Sequence, residues 1–342
     1  MRTQPVIGIT MGDPAGIGPE VVARTLSAAP QQQGRKFIVY GSNELLTMAV
    51  DQCDLSLQWC RVDAESPRAS AAFDSTITVM DDARDDLHDL PAKPSDVGGH
   101  VSKHWVERAI ADAIGAQGNS PRIDALVTAP ICKESWELAG YRWPGHTELL
   151  ANRSGAKRHA MMFASPLLRV VLATCHVPLM DIRNILTIGR VHDAIDLAAE
   201  GCRKLGFAQP RIAVAGLNPH AGEGGRLGDE ERRIIEPAVS FARDAGHDVT
   251  GPLPGDTIFN RTLDGAFDVV VAMYHDQGLL PVKLLERHRG VNWTLGLPII
   301  RTSPDHGTAF DIAGAGRADP GSMIAATELA ARLARPVIAS AP

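Results

Sequence analysis

The chain has 342 residues, which is long for one hydrophobic core and favours two domains or one large α/β unit. Hydrophobic residues make up 44% and charged residues 22% of the sequence, so the composition is that of a folded globular protein. The formal net charge of -6, with no basic run that carries interleaved aromatic residues, argues against a nucleic-acid-binding surface.

The first residues and the cysteines indicate a compartment. The opening MRTQPVIGITMGDP carries an apolar stretch that is too short for a secretory signal. No apolar run approaches the roughly 20 residues that are needed to span a bilayer. The five cysteines are scattered and form no C-x-x-C pair, so we expect neither a disulfide framework nor a thiolate zinc site. We therefore expect a soluble, cytoplasmic protein that binds neither membrane nor nucleic acid.

Short apolar runs alternate with amphipathic stretches along the chain. The runs that predict strands are, in chain order, PVIGIT, KFIVYG, DALVTAP, LLRVVLATC, RIAVAGL and DVVVAMY. The stretches that predict helices are GPEVVARTLSAA, HVSKHWVERAIADAIGAQ and DEERRIIEPAVSFARDAG. This alternation is typical of βαβ units, so the sequence predicts an α/β fold with a largely parallel, open sheet.

Three of the strand-like runs deliver a histidine just past the carboxyl end. VVLATCH ends at His176, IAVAGLNPH ends at His220 and VVVAMYH ends at His275. Ligands of open parallel sheets lie outside the carboxyl ends of the strands, where all three imidazoles would gather. Three imidazoles suit zinc, nickel, cobalt or iron and leave an open coordination position, as catalytic metal sites do. Each histidine taken singly has an alternative reading, as a hydrogen-bonded loop residue.

Glycine-rich turns and a few cationic residues accompany these histidines. MGDPAGIGPE predicts a tight strand-to-helix turn whose helix N-terminus favours anions, although it lacks the G-x-G-x-x-G pattern. Arg301 follows LGLPII and Lys283 follows GLLPV, which suits a bound phosphate or carboxylate; a solvated face is the alternative. His146 and Thr147 stand where a helix would begin, with Thr147 as its cap.

Seven ordered motifs give the sequence a resemblance to a known family. They are GDPAGIGPE, PGHTELL, LNPHAGEGG, GPLPGDT, YHDQG, VNWTLGLPIIRTS and DHGTAFDIAG. In this order they resemble the 4-hydroxythreonine-4-phosphate dehydrogenase family, which serves pyridoxal phosphate biosynthesis. The resemblance implies an α/β/α two-domain subunit of the isocitrate and isopropylmalate dehydrogenase type, with the active site in the interdomain cleft. It implies a nucleotide-side domain over 1–140 plus 285–342 and a metal and dimerisation domain over 141–284.

The resemblance also implies the cofactors and the residues that bind them. The divalent metal would be zinc, with magnesium, cobalt or another divalent ion as alternatives, and its ligands would be His176, His220 and His275. NAD or NADP would lie against a loop whose expected contacts are His306, Gly307, Asp311 and Gly314.

Substrate-binding and catalytic residues follow from the same resemblance. The expected substrate contacts are His146, Thr147, Lys283, Asn292 and Arg301. Lys283 and Asp276 are the candidate catalytic residues, and Asp276 is the candidate base for the hydroxyl proton. The family is a homodimer with its active site at the subunit interface, and Asp256 matches a residue that approaches the partner's site.

The implied reaction is oxidation of the secondary alcohol of 4-phosphooxy-L-threonine, a small phosphorylated substrate. The metal would lower the pKa of the hydroxyl, and hydride would pass to the nicotinamide. The resulting β-keto acid would lose carbon dioxide to give 3-amino-2-oxopropyl phosphate. Alternative substrates are D-threonate 4-phosphate, D-erythronate 4-phosphate and a cis-dihydrodiol of an aromatic acid such as terephthalate. Lys283, Asn292 and Arg301 together favour a phosphorylated substrate.

Three questions stay open at the level of sequence. Trp293 departs from the usual family pattern, and it would either narrow the pocket or pack in the core. The chain could also be a non-catalytic metal- or nucleotide-binding protein, or a metal-dependent hydrolase or phosphatase. Neither of these two alternatives explains the nucleotide-like loop DHGTAFDIAG.

Overall fold

The chain forms two compact units. The computed structural model describes residues 4–28, 34–63, 75–81, 87–115, 122–286 and 289–335. The first unit comprises residues 1–156 and 297–342, and the second unit comprises residues 157–296. The domain boundaries expected from the sequence fall after residues 140 and 284, and that assignment of domains stays a prediction.

Strands form where the sequence carries short apolar runs. In the described part of the chain they are β1 (Val6–Thr10), β2 (Lys36–Gly41), β3 (Cys60–Asp63), β4 (Ile77–Asp81), β5 (Ala125–Thr128), β6 (Ala160–Ala164), β7 (Arg169–Leu172), β8 (Ile212–Ala215), β9 (Val249–Leu253), β10 (Val269–Ala272), β11 (Val291–Leu295) and β12 (Arg301–Pro304). Each of the six runs that predicted a strand contains one of them. These six strands are almost entirely buried, as runs without polar alternation require.

Helices connect most of these strands. In the described residues they are α1 (Gly18–Ser27), α2 (Asn43–Gln52), α3 (Asp96–Ile114), α4 (Lys133–Leu138), α5 (His146–Ser154), α6 (Ile182–Ile185), α7 (Ile188–Lys204), α8 (Glu236–Asp244), α9 (Gly255–Leu263), α10 (His275–Leu285) and α11 (Gly321–Ala334). A π-helical turn, Glu231–Ile235, leads directly into α8. Among the described helices we find none with the length and apolar character of a membrane span. The three stretches that predicted helices are confirmed.

The first unit is built on parallel strands in the order β3-β4-β2-β1-β5-β12. The pairs β1–β2, β1–β5, β5–β12, β2–β4 and β3–β4 are all parallel. The central strands lie in its core, where Ile7, Ile9 and Val127 are fully buried. The carboxyl ends of β1, β5 and β12 therefore open at one edge.

The second unit has strands in the order β11-β6-β7-β10-β8-β9. The pairs β7–β10, β10–β8 and β8–β9 are parallel, whereas β6 is antiparallel to both β11 and β7. A buried cluster that includes Val170, Ala213 and Val270 fixes the three central strands, and Leu279 and Val282 of α10 pack against it. The predicted α/β class with largely parallel strands is confirmed.

Candidate active site

The three predicted metal-binding histidines all lie in the second unit, after adjacent parallel strands. His176 follows β7, His275 follows β10 and His220 follows β8. The rings of His176 and His275 lie with their centroids 5.6 Å apart and their planes tilted by 39°. Neighbouring parallel strands thus bring two of the three imidazoles into contact, and the gathering of all three stays a prediction.

Asp276 is held by its neighbour in sequence. Its Oδ1 lies 2.6 Å from Nδ1 of His275, and 72% of the side chain is exposed. A carboxylate on Nδ1 fixes the tautomer of an imidazole and directs Nε2 toward a ligand. The contact therefore suits an orienting role, and the role of Asp276 as catalytic base stays a prediction.

A cavity of about 460 Å³ lies beside the two adjacent histidines. Its walls include His176, Leu179 and Ile182 from the segment after β7, together with Tyr274 and His275. A concave site with a few polar groups on mostly apolar walls is the usual form of a small-molecule site. The cavity could hold a small substrate against the imidazoles.

The imidazole donors of the three histidines fit a divalent ion in chemistry. Across the described ranges, no group of three His, Cys, Asp or Glu residues is placed to hold a metal ion. His176 and His275 offer two adjacent imidazoles of the kind that zinc prefers. Within the described residues, His220 does not complete a group of three donors with these two histidines.

His220 lies in an unusual left-handed turn. Residues 220–224 all have positive φ, with values of 51, 52, 78, 44 and 68°, within the segment Pro219–Gly225. His176 also has a positive φ of 51°. Non-glycine residues in this region cost of order 1 kcal/mol or more each, and they cluster at functional sites. Two of the three predicted metal ligands thus have strained backbone.

His146 and Thr147 lie in the first unit, at the start of α5. The helix begins at His146 with Gly145 at the cap position, so the prediction that Thr147 caps the helix is wrong. The indole of Trp136 packs edge-on against the imidazole, with centroids 5.7 Å apart. The Nε2 atom of His146 is buried, and no described residue forms a hydrogen bond with it. Burial and the positive charges of Arg301 and Lys133 lower the pKa of His146 well below 6.5.

Arg301 is a buried cation in the same unit. Its side chain, at the start of β12, is 2% exposed and donates from Nη2 to Oγ1 of Thr128 at 2.7 Å. Burial lowers its pKa to about 10, and the charge of Glu148 offsets part of that effect. Arg301, Lys133, His146 and Thr147 form what we call the cationic site. Lys133 was not predicted as a site residue from the sequence. Its position in APICKE, just after β5, is the feature that could have identified it.

The predicted nucleotide loop is anchored to the turn after β1. The Ile17 N–H donates to the carbonyl of Thr308 at 2.9 Å, and a Cβ at Gly16 would lie 2.9 Å from the Thr308 side chain. Asp13 is buried in this turn and accepts from Ser135 Oγ at 2.8 Å. Burial raises the pKa of Asp13, which the sequence analysis did not single out.

The four predicted cofactor contacts lie on this half-exposed loop. Gly307, Asp311 and Gly314 are exposed, and Gly314 has a φ of 74° that favours glycine. The Nε2 atom of His306 is buried, and within the described ranges no hydrogen-bond partner reaches it. A buried polar atom of this kind fits a ligand that completes its hydrogen bonding.

The remaining predicted residues lie in the second unit. Asn292 is on β11, where its Oδ1 is buried with no hydrogen-bond partner in the part of the chain described. Lys283 and Asp256 are exposed, on α10 and in the first turn of α9. Trp293 is 2% exposed. Of the two alternatives for this residue, packing in the core is therefore the one that the structure supports.

Comparisons with known proteins agree with these features. The family model of the pyridoxal phosphate biosynthetic protein PdxA matches residues 33–330. The 4-hydroxythreonine-4-phosphate dehydrogenase of Beijerinckia indica subsp. indica is 47% identical over 332 residues, which cover 96% of this chain and 95% of the relative. The D-threonate 4-phosphate dehydrogenase of Cupriavidus necator is 44% identical, with coverages of 96% and 97%.

A solved structure is similar over almost the whole chain. The 4-hydroxythreonine-4-phosphate dehydrogenase of Klebsiella pneumoniae has 40% sequence identity and a TM-score of 0.83, and the match covers 97% of this chain and 99% of that one. The similarity extends over both units, and the curated relatives are named dehydrogenases. The chain therefore belongs to the PdxA family of pyridoxal phosphate biosynthetic proteins and is a dehydrogenase that acts on a CH–OH group.

Proposed function

We propose that the chain oxidises the secondary alcohol of 4-phosphooxy-L-threonine, with NAD or NADP as the hydride acceptor. The β-keto acid then loses carbon dioxide and leaves 3-amino-2-oxopropyl phosphate. The observation that carries the choice of a phosphorylated substrate is the cationic site, where a buried guanidinium with a lowered pKa lies near a neutral imidazole at the start of α5. The name of the relative from Beijerinckia supports the same substrate.

The cationic site suits the phosphate of the substrate. Arg301 can donate two parallel hydrogen bonds to an oxyanion, and Lys133 adds a second positive charge. Neutral His146 has a buried Nε2 that can take part in one further hydrogen bond. The first N–H groups of α5, including that of Thr147, point toward the same end of the helix and favour an anion.

The residues of the second unit are proposed to handle the alcohol. Asn292 Oδ1 is a buried acceptor that would take a hydrogen bond from the substrate. Asp276 is the proposed base, and exposed Lys283 the proposed second group for binding and proton transfer. Both lie on α10, which begins at His275.

Two bound groups complete the proposal. A divalent ion held by His176, His220 and His275, zinc in first place, would lower the pKa of the substrate hydroxyl when bound. NAD or NADP would contact the loop that carries His306, Gly307, Asp311 and Gly314. The buried, unpaired Nε2 atom of His306 in the described part of the chain supports this placement. The chain's own contribution is to orient the reacting groups and to hold the anion.

The proposal includes a homodimer with its active site at the subunit interface. The inner face of α10 packs on the core through Leu279 and Val282, yet Leu280 and Leu284 on the same helix are 61% and 84% exposed. A helix with apolar residues on both faces is usually buried on both. Asp256 stays the residue proposed to approach the partner's site. The interdomain cleft and the cytoplasmic location also stay predictions.

A second substrate is supported by a specific observation. The relative from Cupriavidus necator, named a D-threonate 4-phosphate dehydrogenase, is 44% identical over the same extent. D-Threonate 4-phosphate carries a hydroxyl group where phosphooxythreonine carries an amine. The cationic site would bind the phosphate of either compound, so it does not discriminate between them.

The test is NADH or NADPH formation by the metal-loaded enzyme on a panel of compounds. The panel holds 4-phosphooxy-L-threonine, D-threonate 4-phosphate, D-erythronate 4-phosphate and a terephthalate cis-dihydrodiol. The proposal predicts the highest kcat/KM with 4-phosphooxy-L-threonine and a large loss when its phosphate is removed. Fastest turnover of D-threonate 4-phosphate would select the second candidate. Turnover of the dihydrodiol alone would contradict the phosphate assignment.

A further inference from the structure

A buried carboxylate in the second unit bears on the turn that carries His220. Glu231 is 2% exposed and begins the π-helical turn Glu231–Ile235. Its carboxylate contacts the segment that follows β8, at Leu217 and Asn218. Turns of the π type are rare and often occur at functional sites.

The carboxylate of Glu231 accepts three N–H donors from this segment. Its Oε1 accepts the backbone N–H groups of Leu217 and Asn218, each at 2.8 Å. Its Oε2 accepts Nδ2 of Asn218 at 2.9 Å, and a Cβ at Gly222 would lie only 2.6 Å from the same oxygen. Glu231 therefore binds the chain just before His220 and packs closely against the turn just after it.

The turn needs such support because of its backbone. His220, Ala221 and Glu223 have φ values of 51, 52 and 44°, which cost free energy for residues with a Cβ. Strained backbone of this kind persists when the surrounding structure fixes it. The three hydrogen bonds of Glu231 supply that restraint at the start of the turn.

A second side chain ties the same segment to the exit of β10. Gln277 donates from Nε2 to the carbonyl of Gly216 and accepts the N–H of Met273 at Oε1, each at 2.7 Å. The hydroxyl of Thr174 donates to the Met273 carbonyl at 2.7 Å. The exits of β7, β10 and β8, which lead to the three histidines, are thereby joined by side-chain hydrogen bonds.

We propose that Glu231 is a positioning residue for metal binding, because it fixes the left-handed turn and so restricts His220 to one backbone conformation. The inference rests on the proposed metal site of His176, His220 and His275, which do not form a group of three within the described residues of one chain and would be completed across the proposed subunit interface. Glu231 is not itself a ligand in this account, since both of its oxygens already accept N–H donors. Its substitution would raise the free energy of ordering His220 when a divalent ion binds.

The test is Co²⁺ binding by the full chain with Glu231→Gln. The substitution keeps the size of the side chain but replaces one acceptor oxygen with an NH₂ group, which then faces an N–H donor. We expect the Kd for Co²⁺, followed by visible absorption at a temperature where the protein is folded, to rise by about tenfold or more. The ligand-field spectrum should also change, which a loss of stability alone would not produce.

A metal-free readout accompanies the titration. Hydrogen exchange of residues 217–225 in the metal-free variant should be faster than in the wild type, while the amides of β10 keep their protection. Glu236→Gln, an exposed change on the neighbouring helix α8, is the matched control and should alter neither readout. If Glu231→Gln does not fold, Asn218→Ala removes the Nδ2 donor that serves both Glu231 Oε2 and Glu230 Oε2 but leaves the two backbone hydrogen bonds to Glu231 Oε1. This variant should raise the Kd several-fold.

The outcomes separate this inference from the proposed function. A wild type that binds Co²⁺ no better than His275→Ala would refute the metal site itself, and the role of Glu231 with it. A wild type with a histidine-dependent site, together with a Glu231→Gln variant of unchanged Kd and spectrum, would overturn the positioning role alone. Faster exchange in the turn without any change in Kd would also overturn it, since the turn would then not control binding.

Discussion

At the scale of single residues, His146 gives the protein a pH-dependent stability. Burial and two nearby cations keep its folded-state pKa well below 6.5, so the unfolded chain binds the extra proton as the pH falls below that value. The free energy of unfolding therefore decreases toward acid pH. Between about pH 7.5 and about pH 5.5, we expect the free energy of unfolding of His146→Gln to fall by about 1 kcal/mol less than that of the wild type. Urea unfolding measures this, and equal losses in both proteins would contradict a neutral His146.

Arg301 carries the proposed recognition of phosphate, and it allows a sharp substitution. Arg301→Lys keeps the positive charge but removes the planar fork and its hydrogen bond to Thr128. We expect the KM for the phosphorylated substrate to rise by about tenfold or more, with the KM for the dinucleotide unchanged. Steady-state kinetics test this, with exposed Arg203→Lys on α7 as the control. An unchanged substrate KM would remove Arg301 from the site.

At the scale of elements, the contact between the β1 turn and the nucleotide loop should control cofactor binding. A Cβ at Gly16 would meet Thr308 at 2.9 Å, so Gly16→Ala forces the loop away from the turn. We expect weaker binding of NAD or NADP and a stability loss of about 1–3 kcal/mol. Gly189→Ala in α7, where no described atom lies within 4 Å of the added Cβ, should leave binding unchanged. Normal cofactor affinity in Gly16→Ala would show that the loop does not bind it.

The elements that could be predicted from sequence are those with a strong local pattern. The buried runs that became β7, β8 and β10 predicted the strands, because runs without polar alternation are typical of buried parallel strands. The contact between His176 and His275 agrees with their predicted place at the strand exits, whereas the gathering of all three histidines stays a prediction. The left-handed turn at 220–224 could not be predicted in this way, since non-glycine residues with positive φ carry no periodic signal. Glu231 accepts the N–H groups of Leu217 and Asn218 just before this turn, and only the folded chain shows that contact.

The cationic site, too, could be predicted from the sequence only in part. The apolar run before Arg301 favoured an anion-binding arginine over one on a solvated face, and the side chain is buried in β12 beside Thr128. Lys133 and Glu148 were missed because their effect on His146 and Arg301 acts through space between separate elements. The cap at the start of α5 was assigned to Thr147 because the sequence pattern favoured threonine, whereas Gly145 occupies that position.

At the scale of the whole molecule, the exposed leucines of α10 predict self-association. Leu280 and Leu284 lie one turn apart and would be buried by a second copy of the chain. We expect a dimer for the wild type and a shift toward monomer for Leu284→Asp, as measured by light scattering on size-exclusion chromatography. Leu138→Asp changes an exposed leucine on α4 and should stay dimeric. A monomeric wild type would contradict the proposed subunit interface.

The central claim is that this dehydrogenase oxidises its phosphorylated alcohol with help from a metal held by His176, His220 and His275. The most direct measurement is NADH formation from 4-phosphooxy-L-threonine before chelation, after removal of divalent ions, and after their return. The account predicts turnover that is lost on chelation, restored by zinc or another divalent ion, and abolished at every stage in His275→Ala. Turnover that survives both chelation and His275→Ala would contradict it.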